Sequence, residues 1–493
     1  MINGITPVLE AIEACPDRKA LIFPGEAVLT FAELKQESLA FQSGLKHLGL
    51  SSGDTVLFAE GLSPQLYGFV LAALGLGVSV AVVEPWMPLS KINSVVKGLA
   101  PRLFLAGILG RVWGLRSEAI RAIPNWSSLS GVAAKATDAA RELQVQTVSP
   151  DHLGLVAFTS GTTGAPKGVA RRHGYLLEQH RVLGVALHHD QFQGPELTMF
   201  SNFVFANLAS HRGSVVVPAQ MNGDWSQRTL DWASRLQGPD APVSATMGPA
   251  FLRRVMTHTG FSALRSVHVG GALTDNAIFR SAFGRWPEVE FGHIYGSSES
   301  EPVAVMDARE AVQLSESRGL FQTLALGRQV SAIESDFQKE SLWVTGPHVC
   351  PLYIGENVAA ENRLNKRVDE RGRVWHRMGD RIELNGGVLW YRGRSGQTIA
   401  DFDLEQELYE VCGSSKLFTE RNKLGELEIY VEGDARVKMV REWVNQAQAE
   451  GRCLESVALL TTVIRRDRRH RARIDRVASR AKAKMNGRLE LKK

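Results

Sequence analysis

The chain has 493 residues, of which 44% are hydrophobic and 22% are charged, and its formal net charge is only +5. This length exceeds that of one ordinary hydrophobic core, so we expect at least two domains. The composition is that of a globular protein and excludes a disordered or fibrous chain. Four widely separated cysteines fit no metal-ligand spacing, which predicts reduced, mostly buried thiols.

The first residues lack a basic segment followed by an apolar one, so no signal peptide is expected and the protein is predicted to be cytoplasmic. An uncharged stretch then runs from Leu66 to Val83. Its glycines and the following Glu84-Pro85 predict a buried helix that leads into a buried strand. A membrane span is the alternative, and the missing basic anchors on either side disfavour it.

Up to residue 150, helical patterns alternate with short apolar strands. Thr30 is the expected N-cap of one helix, since an acidic residue follows it three positions later. Strands are predicted at 56–59, 78–83 and 103–106. Such alternation implies βαβ units and a mostly parallel sheet.

The same alternation continues beyond residue 150 and gives way to short strands from about Leu342. The strands predicted in this part are 154–158, 214–218, 266–271, 342–344, 374–376, 388–391 and 426–431. We expect an α/β fold with a large N-terminal domain of βαβ-type sheets over 1–394. A small, mobile α+β domain is predicted over 395–493.

The most specific motif is a segment rich in glycine and hydroxyl groups that directly follows the strand at 154–158. Its candidate phosphate-binding residues are Thr159, Ser160, Gly161, Thr162, Thr163, Gly164 and Lys167. Glycines let backbone amides approach an anion, hydroxyls donate hydrogen bonds to phosphate oxygens, and the lysine adds a positive charge. The segment is not a Walker A loop, because Pro166 precedes the lysine and Gly168 follows it. The pattern favours a site for departing pyrophosphate over a plain surface loop.

This segment resembles the phosphate-binding loop of the adenylate-forming superfamily, which contains acyl-CoA synthetases, peptide-synthetase adenylation domains and luciferases. Further segments resemble that family's motifs in the expected order along the whole chain. They are Gly270-Gly271-Ala272-Leu273, Tyr295-Gly296-Ser297-Ser298-Glu299, Leu342-Trp343-Val344-Thr345-Gly346-Pro347, Arg377-Met378-Gly379-Asp380 and Gly393-Arg394.

The resemblance implies that ATP and Mg²⁺ are the cofactors and that a small carboxylic acid becomes an acyl-adenylate with release of pyrophosphate. It implies that Tyr295 stacks on adenine beside the segment 270–272, that Ser298 contacts the α-phosphate and that Asp380 binds the ribose. Glu299 is implied as the Mg²⁺ ligand, a role that suits a carboxylate beside substrate phosphates. Lys167 and Glu299 are therefore expected to be catalytic. The alternative for Glu299 is an exposed acid in a loop, and the alternative for Asp380 is a common Gly-Asp turn.

Two departures from the family pattern concern the C-terminal part. Gly396 stands at the hinge position, and the segment 399–405 lacks the lysine and glycine that line a pantetheine tunnel. Arg473 occupies the place of the family's catalytic lysine and could neutralise the α-phosphate, although its planar guanidinium differs from an ammonium. The alternatives are a solvated basic helix over 465–476 or a nucleic-acid surface. We expect no nucleic acid, because no aromatic residues are interleaved with the charges.

A narrower resemblance connects the segments 374–380, 389–394 and Arg469-His470 with olefin β-lactone synthetases. It implies a long-chain β-hydroxy acid whose own hydroxyl closes a lactone, so that no thiol acceptor is needed. Other enzymes of a lipid or hydrocarbon pathway would then be the partners. A fatty acyl-CoA or acyl-carrier-protein ligase and a non-catalytic adenylate-binding homologue stay open as alternatives.

The acyl pocket is predicted by position in the chain. Its candidate residues are Phe203, Phe205, Asn207 and Met247. The aromatic side chains and the methionine would form an apolar wall for an alkyl chain. Ordinary core packing is the alternative.

Overall fold

The structure is a computed structural model. It describes residues 2–24, 28–83, 87, 89–137, 141–159, 167–217, 224–338, 341–356, 358–395, 397–422, 426–450, 456–465, 476–481 and 483–490.

The helices of these residues are α1 Thr6–Ala14, α2 Phe31–His47, α3 Pro64–Gly75, α4 Leu89–Leu99, α5 Ile108–Gly114, α6 Glu118–Arg121, α7 Leu129–Ala133, α8 His173–Ala186, α9 Phe203–Ala209, α10 Asp224–Ser234, α11 Pro249–Val255, α12 Asn276–Arg285, α13 Ala308–Glu316, α14 Ala359–Asn365, α15 Ile399–Cys412, α16 Asp434–Ala449 and α17 Arg476–Arg480.

The strands are β1 Lys19–Ile22, β2 Val28–Thr30, β3 Thr55–Phe58, β4 Ser79–Val82, β5 Leu103–Leu105, β6 Asn125–Ser127, β7 Leu153–Thr159, β8 Lys167–Arg172, β9 Glu196–Thr198, β10 Ser214–Val216, β11 Ser244–Met247, β12 Ser266–Gly270, β13 Glu290–Ser297, β14 Ser300–Asp307, β15 Ala325–Gln329, β16 Glu334–Gln338, β17 Ser341–Thr345, β18 Tyr353–Ile354, β19 Lys366–Val368, β20 Val374–Asn385, β21 Val388–Arg394, β22 Leu417–Arg421, β23 Leu427–Val431, β24 Ser456–Thr461 and β25 Lys484–Glu490.

The strand that precedes the phosphate motif, β7, belongs to a seven-stranded sheet. Its order is β18-β8-β7-β4-β3-β5-β6. The strands β7, β4, β3, β5 and β6 are parallel, whereas β8 returns antiparallel to β7 and β18 pairs antiparallel with β8. The chain therefore reverses direction between β7 and β8, and Lys167 pairs with Thr159 in the antiparallel ladder.

A fourteen-stranded sheet contains the second group of motifs. Its order is β16-β17-β20-β21-β15-β14-β13-β12-β11-β9-β10-β1-β2, with β19 paired to β20. The run from β1 through β10, β9, β11 and β12 to β13 is parallel, and β13 is followed by the antiparallel β14. The Tyr295–Glu299 motif lies at this reversal, and Thr159 and Lys167 likewise lie on an antiparallel strand pair that follows a run of parallel strands.

The uncharged stretch from Leu66 forms the buried helix α3 and the buried strand β4, as predicted. Most of its apolar side chains belong to a large hydrophobic cluster that also includes Val8, Phe31 and Phe205. Among the described helices, none combines the length and hydrophobicity that a bilayer span requires. The α2 cap is also as predicted, since Thr30 and Glu33 form a reciprocal capping box worth about 1 kcal/mol.

The third sheet has four strands in the order β22-β23-β24-β25 and packs with α15 and α16 around its own hydrophobic cluster. Helix α15 also contacts the preceding part of the chain, because the Phe402 ring packs on the edge of Tyr391 at 5.5 Å between centroids. The Gln406 side chain donates to Gln322. The predicted α/β fold with a small α+β C-terminal unit is confirmed by this arrangement.

Candidate active site

Two described residues of the phosphate motif belong to neighbouring strands: Thr159 ends β7 and Lys167 opens β8, which pairs on its other side with β18. Lys167 opens β8 and is largely buried. The predicted residues Ser160, Gly161, Thr162, Thr163 and Gly164 lie outside the described residues, and only the backbone of Thr159 is described. Lys167 is therefore the member of this motif whose contacts define the site.

The Ser298-Glu299 turn joins β13 to β14 and is held by hydrogen bonds from two other parts of the chain. The Arg171 guanidinium donates to the Ser298 carbonyl at 3.2 Å. The backbone amide of Cys350 donates to the Glu299 carbonyl at 2.7 Å. Gly296 is required at the base of the turn, because a Cβ there would lie 2.9 Å from the Ser300 carbonyl oxygen.

The Glu299 carboxylate accepts a hydrogen bond of 2.8 Å from the Tyr353 hydroxyl. Burial raises the pKa of Glu299, but His376, the hydrogen bond from Tyr353 and the charge of Lys366 together lower it to about 2. Burial itself lowers the pKa of His376 to about 3, so this imidazole is neutral at physiological pH and carries its charge only in the acid range where Glu299 titrates. The carboxylate of Glu299 is therefore ionised throughout the physiological range, as a metal ligand must be.

Lys167 forms an ion pair with Glu361 of α14, and both side chains are only about one tenth exposed, at 10% and 11%. Its ammonium also lies 5.3 Å from the centroid of the Tyr353 ring. Lys366 approaches the same ring at 4.9 Å. Tyr353 thus links Lys167 to Glu299, and we call these five residues (Lys167, Glu299, Tyr353, Glu361 and Lys366) the charged cluster.

Tyr295 and Asp380, which are expected at the adenosine end, come together with Arg394 in one chain of contacts. The Tyr295 hydroxyl donates to Asp380 at 2.8 Å, and the Arg394 guanidinium pairs with the same carboxylate at 3.0 Å. Burial and the Asp380 charge raise the pKa of Tyr295, while Asp380 raises the pKa of Arg394. The strands β13, β20 and β21 deliver these side chains to one place, although they lie about one hundred residues apart in the sequence.

The glycine segment lies beside Tyr295. Gly270 ends β12 and pairs with Ile294, where a Cβ would meet the Ile294 carbonyl oxygen at 2.8 Å. Gly271 has a positive φ of 79°, and a Cβ there would lie 3.6 Å from the Phe200 ring. Ala272 follows with a partly exposed side chain. This segment therefore provides a close backbone surface next to the tyrosine strand.

The four candidate acyl-pocket residues are all buried within the fold. Phe205 packs on Tyr67 at 5.4 Å, and Asn207 donates to Ser214 at 3.0 Å, contacts that favour core packing for these two. Phe203 packs on Phe200, the side chain that reaches Gly271. Met247 belongs to the same hydrophobic cluster as Phe200 and Phe203.

Past Arg394 the chain enters a helix almost at once. Thr398 caps α15 by accepting a hydrogen bond from the Asp401 amide at 3.0 Å. The segment 399–405, which in the family pattern would line a pantetheine tunnel, is the first half of this helix. Gly396 and Arg473 lie outside the described residues.

A magnesium ion fits the donor set at Glu299. Among the described side chains, no group of three or more His, Cys, Asp or Glu residues forms a metal cage. Mg²⁺ is commonly held by one or two carboxylates together with substrate phosphates and water, which a lone ionised Glu299 suits.

The described cysteines Cys15, Cys350 and Cys412 are free thiols.

Four residues of the site were not predicted from the sequence: Tyr353, Glu361, Lys366 and Arg171. None of them belongs to a local motif. Tyr353 and Glu361 reach the site because β18 pairs with β8 and α14 follows it, which places residues 167 and 361 side by side. A short strand of two residues gives no periodic signal, so the sequence alone could not predict this pairing.

The family model described as "AMP-binding enzyme" matches residues 8–349, more than half of the chain. Olefin beta-lactone synthetases of Stenotrophomonas maltophilia and Xanthomonas campestris are each 24% identical, over 78% of this chain and 77% of their own length. The nonribosomal peptide synthetase sidE of Aspergillus fumigatus is 29% identical over 39% of this chain, which spans only 9% of that protein.

Solved structures show the same fold. A fatty acyl CoA synthetase of Mycobacterium tuberculosis aligns with a TM-score of 0.69 over 97% of both chains at 15% identity. The amide bond synthetase McbA of Marinactinospora thermotolerans aligns with a TM-score of 0.75 over 96% of this chain and 98% of its own at 16% identity. Because the family model matches more than half of its residues, the chain belongs to the AMP-binding enzyme family of AMP-forming ligases and synthetases.

Proposed function

We propose that the protein binds ATP with Mg²⁺ between the charged cluster and Tyr295, and joins AMP to a carboxylic acid. The observation that carries this proposal is that Tyr353 links Lys167 to Glu299, while Tyr295, which precedes Glu299 in the same motif, forms one connected group with Asp380 and Arg394. A cation and an ionised acid of this kind suit a triphosphate with its magnesium, and the second group suits a ribose.

In the proposed reaction, a carboxylate oxygen of the substrate attacks the α-phosphorus of ATP. A new C–O–P linkage forms, the bond to the β-phosphate oxygen breaks, and pyrophosphate leaves. Lys167 and the hydroxyls of Thr159, Ser160, Thr162 and Thr163 would stabilise the leaving pyrophosphate. Mg²⁺, when bound, neutralises phosphate charge beside Glu299. Ser298 would contact the α-phosphate, and Arg473 would offset its charge from the C-terminal unit.

We further propose a long-chain β-hydroxy acid as the substrate and a β-lactone as the product. In the second step the substrate's own hydroxyl oxygen attacks the acyl carbon, the bond to AMP breaks, and the hydroxyl proton leaves to solvent or to a base. Support comes from two relatives named for β-lactone synthesis and from the direct entry into α15, where the family's thiol-acceptor segment would lie. The predicted cytoplasmic location, partner enzymes of a lipid pathway and the division at residue 394 belong to the same proposal.

Product analysis by mass spectrometry tests both steps in one experiment. The protein is incubated with ATP, Mg²⁺ and either a fatty acid or the matching β-hydroxy acid, with and without CoA. We expect AMP and pyrophosphate with the hydroxy acid, and a product that has lost one water without added CoA. A CoA-dependent thioester would instead assign the ligase alternative. Background pyrophosphate–ATP exchange across a broad acid panel would indicate a non-catalytic homologue.

A further inference from the structure

Lys167, the proposed phosphate-binding cation, is paired with a carboxylate of the protein itself, that of Glu361. Glu361 is on α14, far from Lys167 in sequence, and the two groups form an ion pair with little exposure to solvent. The same Glu361 carboxylate accepts a hydrogen bond of 3.0 Å from the Asn365 side chain. Asn365 in turn is fixed at the end of α14, where its carbonyl accepts from His376 at 3.2 Å.

We propose that Glu361 is a positioning residue that holds Lys167 and competes with the triphosphate and with pyrophosphate for its ammonium group. This inference rests on the proposed function. A phosphate group that binds Lys167 must either break the buried ion pair between Lys167 and Glu361 or lie beside the negative charge of Glu361. Both outcomes cost free energy, because charges in a site shielded from water interact strongly. Glu361 therefore weakens phosphate binding whichever arrangement forms.

The geometry also gives Glu361 a way to retain its place when Lys167 moves. The Asn365 side chain can continue to donate its hydrogen bond to the Glu361 carboxylate. Glu361 then stays in position to accept Lys167 when the lysine returns. After adenylation, pyrophosphate lacks the covalent link to the nucleotide that ATP has. A competing carboxylate then favours its release, since Lys167 can return to Glu361.

The test is the substitution Glu361→Gln in the full chain, with Glu356→Gln as the matched control. Glu356 is on the connection between β18 and α14, just before the helix that contains Glu361, and it pairs with Lys97 at 3.7 Å on the surface. Equilibrium binding of pyrophosphate, without any acid substrate, is measured by calorimetry in the presence of Mg²⁺. We expect at least about fivefold tighter binding in the Glu361 variant, the lower end of usual coupling energies, and no change in the control.

Kinetics separate competition from a merely structural role. The Glu361→Gln variant should show a lower KM for ATP and stronger product inhibition by pyrophosphate, whereas a structural defect would lower kcat and thermal stability without tightening binding. Should the variant be poorly folded, Asn365→Ala loosens Glu361 without removing the charge and is expected to shift affinity in the same direction by a smaller factor.

Unchanged or weaker pyrophosphate binding in well-folded variants overturns this inference, even if wild-type adenylation is normal. Absence of wild-type pyrophosphate–ATP exchange overturns the proposed function instead, while the binding measurement still reports on Lys167 and Glu361 directly.

Discussion

Tyr353 is the residue on which the two ends of the charged cluster meet, since its ring faces two lysines and its hydroxyl binds Glu299. A phenylalanine at this position keeps the ring but leaves the carboxylate without its donor. The Tyr353→Phe variant should therefore have a raised Glu299 pKa and need more Mg²⁺. A hydrogen bond to a charged group contributes roughly 1.5–3 kcal/mol, so we expect about a 10- to 100-fold loss of adenylation rate at limiting Mg²⁺. Tyr430→Phe, which removes a hydroxyl in the C-terminal sheet, is the control, and equal effects of the two variants would contradict this role.

The depressed pKa of Glu299 also gives a pH dependence. Its ordinary value is 4.5 and its folded value is about 2, so its contribution to stability is complete above pH 4.5 and is lost as the pH falls toward 2. Glu299→Gln should therefore reduce the steepness of acid unfolding between these values, as measured by denaturant titrations at several pH values. If the variant and the wild type lose stability in parallel, Glu299 does not carry the ionisation assigned to it.

The Asp380 carboxylate accepts a hydrogen bond from the Tyr295 hydroxyl and forms an ion pair with Arg394. Asp380→Asn keeps the shape but removes the charge that offsets Arg394 and would bind ribose hydroxyls. We expect the KM for ATP to rise by on the order of tenfold or more, with a smaller change for the acid substrate. Asp336→Asn, on a half-exposed ion pair with Arg367, should leave both values unchanged. An unaltered KM for ATP in the Asp380 variant would remove this residue from the nucleotide site.

Among the elements, the β13–β14 hairpin positions Ser298 and Glu299 through its tight base. Gly296→Ala introduces a Cβ at 2.9 Å from the Ser300 carbonyl oxygen, so the turn must shift. We expect adenylation to fall by about two orders of magnitude, since misplacement by about 1 Å has effects of this size. The control is Gly284→Ala near the end of α12, where a Cβ meets nothing within 4 Å. Activity that survives in the Gly296 variant would show that the turn tolerates displacement.

For the whole molecule, the sequence predicted most of what depends on local pattern. Apolar runs identified β3, β4 and β7, because buried parallel strands are hydrophobic on both faces. The motif residues Tyr295, Asp380 and Arg394 were also identified, and they do come together. Glu361 could not be predicted, since its contact with Lys167 depends on the edge strand β18 and on side chains nearly two hundred residues apart. Asn207 was assigned by its position in the chain alone, and its hydrogen bond to Ser214 favours the core-packing alternative.

In the C-terminal unit, the role proposed for Arg473 can be tested by mutation. Every described residue that we assign to ATP lies before residue 395, whereas Arg473 lies beyond the third sheet's strand β24. If Arg473 offsets charge only as the α-phosphate is attacked, Arg473→Ala should lower the rate of pyrophosphate–ATP exchange by on the order of 100-fold while ATP affinity stays constant. Arg473→Lys should restore much of the rate, because it returns a positive charge. Arg371→Ala, on an exposed turn before β20, is the control for general charge effects. Normal exchange in the Arg473→Ala variant would mean that residues 465–476 act only as a basic surface segment.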